Sequence, residues 1–276
     1  MATTEKTPIV LVHGLWMTPK SWDTWAEYYR AKGHEVITLA WPGIGTRTPA
    51  DLRRDPSALE GIGITAIVDH LEAEIRKLPV KPIIMGHSFG GLFTQMLADR
   101  GLGVAYVGVE PGQPAGVLVA PPSTLRSGLP VLSNPFRKNK ASQISKKHFR
   151  FTFGNDLTQA ESDVEYEANA IPSFNRVFFE GVLSIPREKS GITKVDFGRP
   201  ERAPLLILTG SIDHVVPPAI GKAIVAKYRA AAAKSGSMAV VDYREFAGRT
   251  HRIVSQKGWE EVADYALDWA VSHAAK

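Results

Sequence analysis

The sequence contains no cysteine, which excludes disulfide bonds and metal sites built on thiolates. It also lacks an apolar run of the roughly 20 residues that a membrane-spanning helix needs. The first residues do not combine a basic stretch with an apolar one, as a secretory signal does, so we expect a cytoplasmic protein with no membrane partner. The net charge of +5 is mild and mostly dispersed, and no nucleic-acid-binding motif accompanies it, so we expect no nucleic-acid partner.

The chain does have enough apolar residues for a large core. Its 276 residues are 44% hydrophobic, which suits one α/β domain, with or without an insertion. Short apolar runs alternate with amphipathic helical patterns, and this alternation predicts a parallel sheet with crossover helices. Strands are expected at 9–12, 35–39, 82–85, 104–109, 204–208 and 239–246, and helices at 19–31, 64–78, 92–99, 220–233 and 259–275. Residues 44–60 read as a loop.

Residues 121–200 break this alternation. Three helices are expected there, near 144–154, 158–170 and 173–184, without a convincing buried strand. We therefore predict a core domain of residues 1–120 and 201–276 with a helical cap inserted at 121–200. A basic stretch, 137–150, precedes an acidic one, 156–167. We favour two solvated helix faces that attract each other over a polyanion-binding site.

The most informative stretch is Gly-His-Ser-Phe-Gly-Gly at 86–91. It contains Gly-x-Ser-x-Gly between an apolar strand pattern and an amphipathic helical one, which is the context of a sharp strand-to-helix turn. Such a turn strains the backbone of Ser88 and exposes its hydroxyl. A Cβ at Gly86 or Gly90 is expected to collide with the neighbouring strand or helix. The free N–H groups at the start of the helix favour developing negative charge.

A serine hydroxyl needs a base, and His251 is the strongest candidate among eight histidines. It lies in a glycine-containing loop after a strand, where it can reach across the carboxyl edge of the sheet. His87 is expected to point its ring away from the hydroxyl of Ser88, and His13 to be a hydrogen-bonded structural residue. Four others are expected to be solvated: His34, His70, His148 and His273.

Two acids follow predicted strands and could orient the base. Asp213 comes after the strand at 204–208, and the chain order Ser, Asp, His favours it. Glu110 comes directly after the strand at 104–109 and is the rival; otherwise we expect it at the rim of the site, in contact with an arginine or with substrate. The oxyanion donors are expected to be the N–H groups of Phe89 and of Leu15, with Trp16 as the alternative to Leu15.

Four motifs together resemble the α/β-hydrolase superfamily, in its serine esterase, perhydrolase and lactonase branch. They are His-Gly after the first strand, Gly-His-Ser-Phe-Gly-Gly, Gly-Ser-x-Asp-x-x-Val-Pro and a late Gly-x-x-His. The resemblance covers nearly all of the chain outside 121–200. It implies a mainly parallel sheet of about six strands, because the chain begins at the third strand of the family, and a cap between the family's sixth and seventh strands. Serine at the nucleophile position disfavours epoxide hydrolases, haloalkane dehalogenases and dienelactone hydrolases.

The resemblance implies acyl transfer by Ser88, His251 and Asp213, without a metal or an organic cofactor. Aromatic residues of the cap favour an apolar acyl or lactone substrate over a sugar or a phosphate ester. The candidate substrate-binding residues are Trp16, Glu110, Phe153 and Phe178. We expect a carboxylic-ester hydrolase, and a lactonase is the nearest alternative. A C–C bond hydrolase or hydroxynitrile lyase uses the same residues, and a non-catalytic binding protein is the least favoured reading.

Overall fold

The computed structural model describes residues 6–274, which form one six-stranded parallel sheet, a two-stranded antiparallel pair and the helices around them. The strands are β1 (Ile9–Val12), β2 (Val36–Leu39), β3 (Ile83–His87), β4 (Ala105–Val109), β5 (Ala141–Ser142), β6 (Ser173–Phe174), β7 (Leu205–Gly210) and β8 (Val241–Phe246). The large sheet has the order β2-β1-β3-β4-β7-β8, and every neighbouring pair in it is parallel. The predicted α/β fold with about six parallel strands is confirmed.

Helices cover both faces of this sheet. They are α1 (Asp23–Ala31), α2 (Pro49–Arg54), α3 (Ile64–Ile75), α4 (Phe89–Asp99), α5 (Pro122–Leu132), α6 (Lys146–Thr152), α7 (Gln159–Asn169), α8 (Asn175–Ser184), α9 (Pro218–Ser235) and α10 (Trp259–Ala274). Alternate residues of β1 divide between two cores. Ile9 and Leu11 pack with α1 and α10, whereas Val10 and Val12 pack with α3, α4 and α9. Both faces of these short strands are buried, and their sequences are therefore continuous apolar runs.

One expectation about a short element was wrong, and another is refined. Residues 44–60 contain α2 and a 3₁₀ turn, Ser57–Leu59, and are not a plain loop. A reciprocal pair of cap hydrogen bonds between Thr48 and Asp51 starts α2, and its six residues are too few to show a helical apolar period. The helix expected at 19–31 begins as a 3₁₀ turn, Pro19–Trp22, which Thr18 caps, and continues as α1.

The segment between β4 and β7 contains α5 to α8. The three helices expected from the sequence correspond to α6, α7 and α8. Helix α5 was missed because Pro130 lies inside it, and the β5–β6 pair because each strand has only two residues. The division into a core and a cap domain stays a prediction. Within residues 6–274, no helix has both the length and the apolar composition needed to cross a membrane.

The basic and acidic stretches of this segment are joined by one ion pair, Lys146–Glu167, among the described residues. Other acids of the stretch pair elsewhere: Asp156 lies 3.0 Å from Arg252, and Glu167 also contacts Arg53. The expected attraction between the two helix faces is therefore confined to a single contact, and most of the basic stretch is left unpaired by the acidic one.

The turn from β3 into α4 depends on close backbone packing. A Cβ on Gly86 would lie 2.2 Å from the carbonyl oxygen of Gly90, and a Cβ on Gly90 would lie 2.2 Å from the carbonyl oxygen of Val12. The expected collisions with helix and strand are confirmed. Only glycine at both positions lets β1, β3 and α4 meet at this point.

Replacement of Gly86 by alanine is expected to lower the free energy of unfolding by more than about 3 kcal/mol, because the new Cβ meets a backbone carbonyl that cannot retreat without moving α4. Urea unfolding followed by circular dichroism measures the loss. The matched control is Gly112→Ala, where the nearest atoms lie at 3.4–3.7 Å, an ordinary contact distance. Equal losses in the two variants would contradict this packing.

Candidate active site

Ser88 lies at the start of α4 with a strained backbone. Its φ of 57° and ψ of −121° lie outside the regions that side chains normally allow. The backbone is held on both sides: the N–H of Ser88 donates to Val109, and its carbonyl accepts from Leu92 and Gly112. The side chain is not open to bulk solvent as the sequence suggested, because the residue is 5% exposed and faces a cavity beneath α5 and α8.

A chain of hydrogen bonds joins Ser88 to a base and an acid. Nε2 of His251 lies 3.0 Å from Oγ of Ser88, and Nδ1 lies 2.7 Å from Oδ2 of Asp213. The other oxygen of Asp213 accepts from the backbone N–H groups of Val215 and Val216 at 2.6 and 3.0 Å. With Nδ1–H donating to Asp213, the ring presents a lone pair at Nε2 to the hydroxyl of Ser88. This arrangement can remove a proton from Ser88.

Glu110 lies behind the histidine and not at the rim. Its Oε2 is 3.4 Å from Nδ1 of His251 and 3.4 Å from Nε2 of His87, and the side chain is fully buried. The expectation that Glu110 contacts substrate or an arginine at the rim was wrong, because a positive φ of 46° at the end of β4 turns it under the base. Glu110 and Asp213 both lie beside Nδ1 of His251, but the contact of Glu110 is longer, 3.4 Å against 2.7 Å.

Burial sets the protonation of this cluster. It raises the pKa of Glu110 well above its ordinary value, and the neighbouring Asp213 carboxylate raises the pKa further. Burial also lowers the pKa of His87 well below its ordinary value, with a smaller contribution from His251. Burial therefore favours the neutral form of both side chains, the carboxylic acid of Glu110 and the imidazole of His87. Asp213, with two backbone donors, is placed to be the carboxylate of the group.

The other histidines are only partly as expected. His87 packs its ring against that of His251 and has no hydrogen bond to Ser88 within residues 6–274, and His13 is buried and accepts from the N–H of Trp41, as a structural residue should. His34 and His148 were wrongly expected to be solvated. His34 is buried, and His148 is half-buried with a ring nitrogen 2.9 Å from the carbonyl of Ser127 on α5. His70 and His273 are partly exposed.

The loop after β1 packs against the strained turn. A Cβ on Gly14 would lie 2.9 Å from Cβ of Ser88, so glycine there brings the loop into contact with the serine. Among the described residues, the N–H groups of Leu15 and Phe89 have no hydrogen-bond partner, as donors to an oxyanion require. Trp16 has a positive φ of 65°, and its carbonyl accepts from the N–H of Ile171 at 2.9 Å. No pattern in the sequence pointed to Ile171, whose backbone N–H holds this loop through that hydrogen bond.

A cavity of about 90 Å³ opens at Ser88. Its walls are mainly apolar and include Trp16, Phe89, Leu92, Phe178, Val182 and Ile220. Trp16 and Phe178, two of the candidate substrate-binding residues, are thus brought to the serine. Helices α5, α8 and α9 supply lining residues that sequence reasoning missed: Thr124, Ser127, Gly181, Val182 and Ile220. They were missed because a helix position looks the same in the sequence whether it faces a core or a cavity.

Phe153 lies on a second cavity, of about 230 Å³, on the side of His251. His87, Phe149 and Phe153 line it, and its polar lining includes Lys20, Asp23, Glu165 and Arg252. The Phe153 ring is 5.2 Å from that of His251 and meets the edge of Trp16 at 6.1 Å. Phe153 is therefore separated from Ser88 by the base and by Trp16, and its contact with substrate stays a prediction.

Three buried side chains could in geometric terms hold a metal ion. His87, Glu110 and His251 each offer a ligand atom within 4.8 Å of the others. An ion bound through Nδ1 of His251 would displace the hydrogen bond that this atom makes with Asp213 at 2.7 Å. His251 can therefore take part in the arrangement with Ser88 and Asp213 or in a metal site, but not in both at once.

Comparison with known proteins agrees with this geometry. The family model described as "Alpha/beta hydrolase family" matches residues 9–265. No curated protein matches the sequence significantly. Among solved structures, a monoacylglycerol lipase from Paleococcus ferrophilus is 19% identical, with 97% of this chain and 96% of that chain covered and a TM-score of 0.65.

Two further structures are similar over their whole length. An extracellular alpha/beta-hydrolase from a Paenibacillus species is 19% identical, with 96% of this chain and 98% of that chain covered and a TM-score of 0.65. A pyrethroid hydrolase from Sphingobium faniae JZ-2 is 16% identical, with 98% and 99% covered and a TM-score of 0.62. At these identities the likeness shows the fold alone.

The buried acid gives a pH dependence of stability that Glu110→Gln removes. Between the ordinary pKa of glutamate, about 4.3, and the raised pKa of Glu110, the folded chain holds a proton that the unfolded chain has lost. Wild-type stability from this group is complete below that window and falls as the pH rises through it. The free energy of unfolding of the variant relative to wild type is therefore expected to rise as the pH increases above the ordinary pKa of glutamate, by up to about 1.4 kcal/mol for each pH unit.

Urea unfolding of both proteins at each pH measures the difference. The control is Glu201→Gln, which removes an exposed carboxyl outside the cluster and is expected to follow wild type. A difference for Glu110→Gln that stays constant or falls with pH would contradict a neutral Glu110.

Proposed function

Because this chain belongs to the alpha/beta hydrolase family, we propose that it is a serine hydrolase that cleaves carboxylic esters through an acyl-enzyme intermediate. The observation that carries the proposal is the pair of contacts at His251, 3.0 Å to Oγ of Ser88 and 2.7 Å to Oδ2 of Asp213. These are the contacts that nucleophilic catalysis by serine requires.

In this mechanism His251 accepts the proton of Ser88 through Nε2 while Oγ attacks the ester carbonyl carbon. The carbonyl electron pair moves to oxygen, and the N–H groups of Leu15 and Phe89 donate to that oxyanion. Collapse of the intermediate breaks the bond to the leaving alcohol, which takes the proton from His251. Water then attacks the acyl-enzyme, with His251 again as base, and releases the acid and free Ser88.

Asp213 is the acid of this proposal, and Glu110 is a neutral neighbour. Asp213 contacts Nδ1 of His251 at 2.7 Å, against 3.4 Å for Glu110. Burial raises the pKa of Glu110 and so favours its uncharged form, which has no charge with which to stabilise the imidazolium that forms on His251. The carboxylate that orients the ring and balances its charge is therefore Asp213.

An ester with an apolar acyl group fits the lining of the cavity at Ser88. Trp16, Phe178 and Ile220 offer surface to an acyl chain and no charged partner to a sugar or phosphate group. The names of similar structures, which include a lipase and an esterase, agree with an ester substrate. A lactone is an internal ester and meets the same groups, so no contact in the cavity separates the two substrates.

Replacement of Ser88 by alanine is expected to lower kcat for 4-nitrophenyl butyrate by about 10⁴-fold or more, because no other group takes over as nucleophile. Release of 4-nitrophenol measures the rate. The control is Ser272→Ala, which removes an exposed hydroxyl on α10 and is expected to keep wild-type activity. Wild-type turnover that survives in Ser88→Ala would remove the nucleophile from the proposal, and a parallel panel of lactones compares the two ester classes.

Replacement of the two acids is expected to lower kcat to very different extents. Asp213→Asn is expected to lower kcat by about 10⁴-fold, because the ring of His251 loses the acceptor that fixes its tautomer and balances its charge. Glu110→Gln keeps a neutral group in place and is expected to cost less than about tenfold. The two variants are compared with one ester at neutral pH, and the reverse ranking would assign the acid to Glu110.

A further inference from the structure

Residues 111–155, which we call the basic apolar segment, are unusual in carrying basic residues without acids. It contains no aspartate or glutamate, and its basic residues are Arg126, Arg137, Lys138, Lys140, Lys146, Lys147 and Arg150. The whole chain has a net charge of only +5, so this segment holds more than the entire excess. Such a one-sided distribution is an electrostatic signal of an anionic partner.

The same segment exposes large apolar side chains. Phe136 is 97% exposed, Leu118 is 72% exposed, and Leu125 and Leu129 are each 55% exposed. Leu125 and Leu129 are one helical turn apart on α5, so they share a face. Phe136 directly precedes Arg137 and Lys138, both exposed. Apolar and basic side chains therefore follow one another along this exposed stretch of the chain.

Much of the positive charge is not neutralised within the protein. Lys140 pairs with Glu60 and Lys146 with Glu167. Within residues 6–274, Arg137, Lys138 and Lys147 have no ion pair. These three cations lie next to the exposed Phe136 and on α6, where an external anion can reach them.

Helix α5 connects this surface to the proposed active site. On its inner side, Thr124 and Ser127 line the cavity at Ser88, and a Cβ on Gly128 would lie 2.8 Å from the ring of Phe178. On its outer side it presents Leu125 and Leu129. One helix thus separates the cavity from the apolar, basic exterior.

We propose that residues 118–140 of the basic apolar segment dock on the surface of an anionic lipid bilayer. Leu118, Leu125, Leu129 and Phe136 enter the layer between headgroups and acyl chains, while Arg137 and Lys138 contact the anionic headgroups. A second copy of this chain is a poorer occupant, because a two-fold contact would place the same cations opposite one another with no acid on the segment. We expected no membrane partner because the sequence lacks a membrane-spanning segment, and docking on the surface of a bilayer does not require one.

Docking on a bilayer does not itself rest on the proposed function. Only its consequence does: an apolar ester dissolved in the lipid would meet α5, the wall of the cavity at Ser88. The two claims can therefore fail separately. Ser88→Ala is expected to bind vesicles as wild type does, whether or not wild type hydrolyses esters.

The test is sedimentation of the full chain with vesicles of phosphatidylcholine and phosphatidylglycerol in equal parts, against vesicles of phosphatidylcholine alone. Wild type is expected to sediment with the anionic vesicles and to be released by salt. Leu125→Ser/Leu129→Ser, Phe136→Ser and Arg137→Gln/Lys138→Gln are each expected to lower the bound fraction by about fivefold or more, and to keep hydrolysis of a soluble short ester. The matched control is Val80→Ser/Lys81→Gln, an exposed apolar and basic pair before β3, which is expected to bind as wild type does.

Three results would overturn the proposal. They are no binding of wild type to anionic vesicles, equal binding by the segment variants and wild type, and an equal loss of binding in the control. Light scattering on the same samples tests the second-copy alternative: a dimer that the leucine and phenylalanine variants dissociate, without vesicle binding, makes this surface a self-interface and refutes docking on lipid.

Discussion

The structure depends on the close approach of three backbones around Ser88. Gly86, Gly90 and Gly14 let β3, α4 and the loop after β1 meet at distances that a Cβ does not allow. This contact holds Ser88 at a φ of 57° and brings Leu15 beside it. A strained residue persists only where its surroundings over-determine it, and here hydrogen bonds to Val109, Leu92 and Gly112 do so. The remainder of the site is built around the position that this contact fixes.

Electrostatics around His251 follow from burial. Four titratable groups meet below the cavity, and burial raises the pKa of Glu110 and lowers that of His87, so the neutral form of each is favoured. The group then carries one carboxylate, Asp213, opposite one imidazole that can take a proton. When His251 is protonated in the proposed reaction, the adjacent carboxylate of Asp213 balances its charge, which lowers the cost of a buried cation. Two ionised acids beneath one histidine would be far more costly to bury.

Much of the fold could be predicted from the sequence, because buried parallel strands and amphipathic helices leave strong patterns. The positions of Ser88, Asp213 and His251 followed from their places after strands, and the structure brings the three together. The rim position of Glu110 was wrong, since no local pattern reports the positive φ that turns it inward. Helix α2 was missed because it is too short to show an apolar period, and helix α5 because Pro130 lies inside it. The role of Ile171 depends on a contact between distant parts of the chain.

Helix α5 lines the cavity at Ser88 on one side and faces the exterior on the other, and the proposed chemistry depends on the reactivity of one hydroxyl, that of Ser88. The most direct measurement of that reactivity is mass spectrometry after treatment with a serine-directed alkyl phosphonate. The account predicts a single adduct, mapped to the peptide that contains Ser88, which forms far more slowly when His251 is replaced by alanine. Absence of an adduct, an adduct on another serine, or equal labelling without His251 would contradict the account.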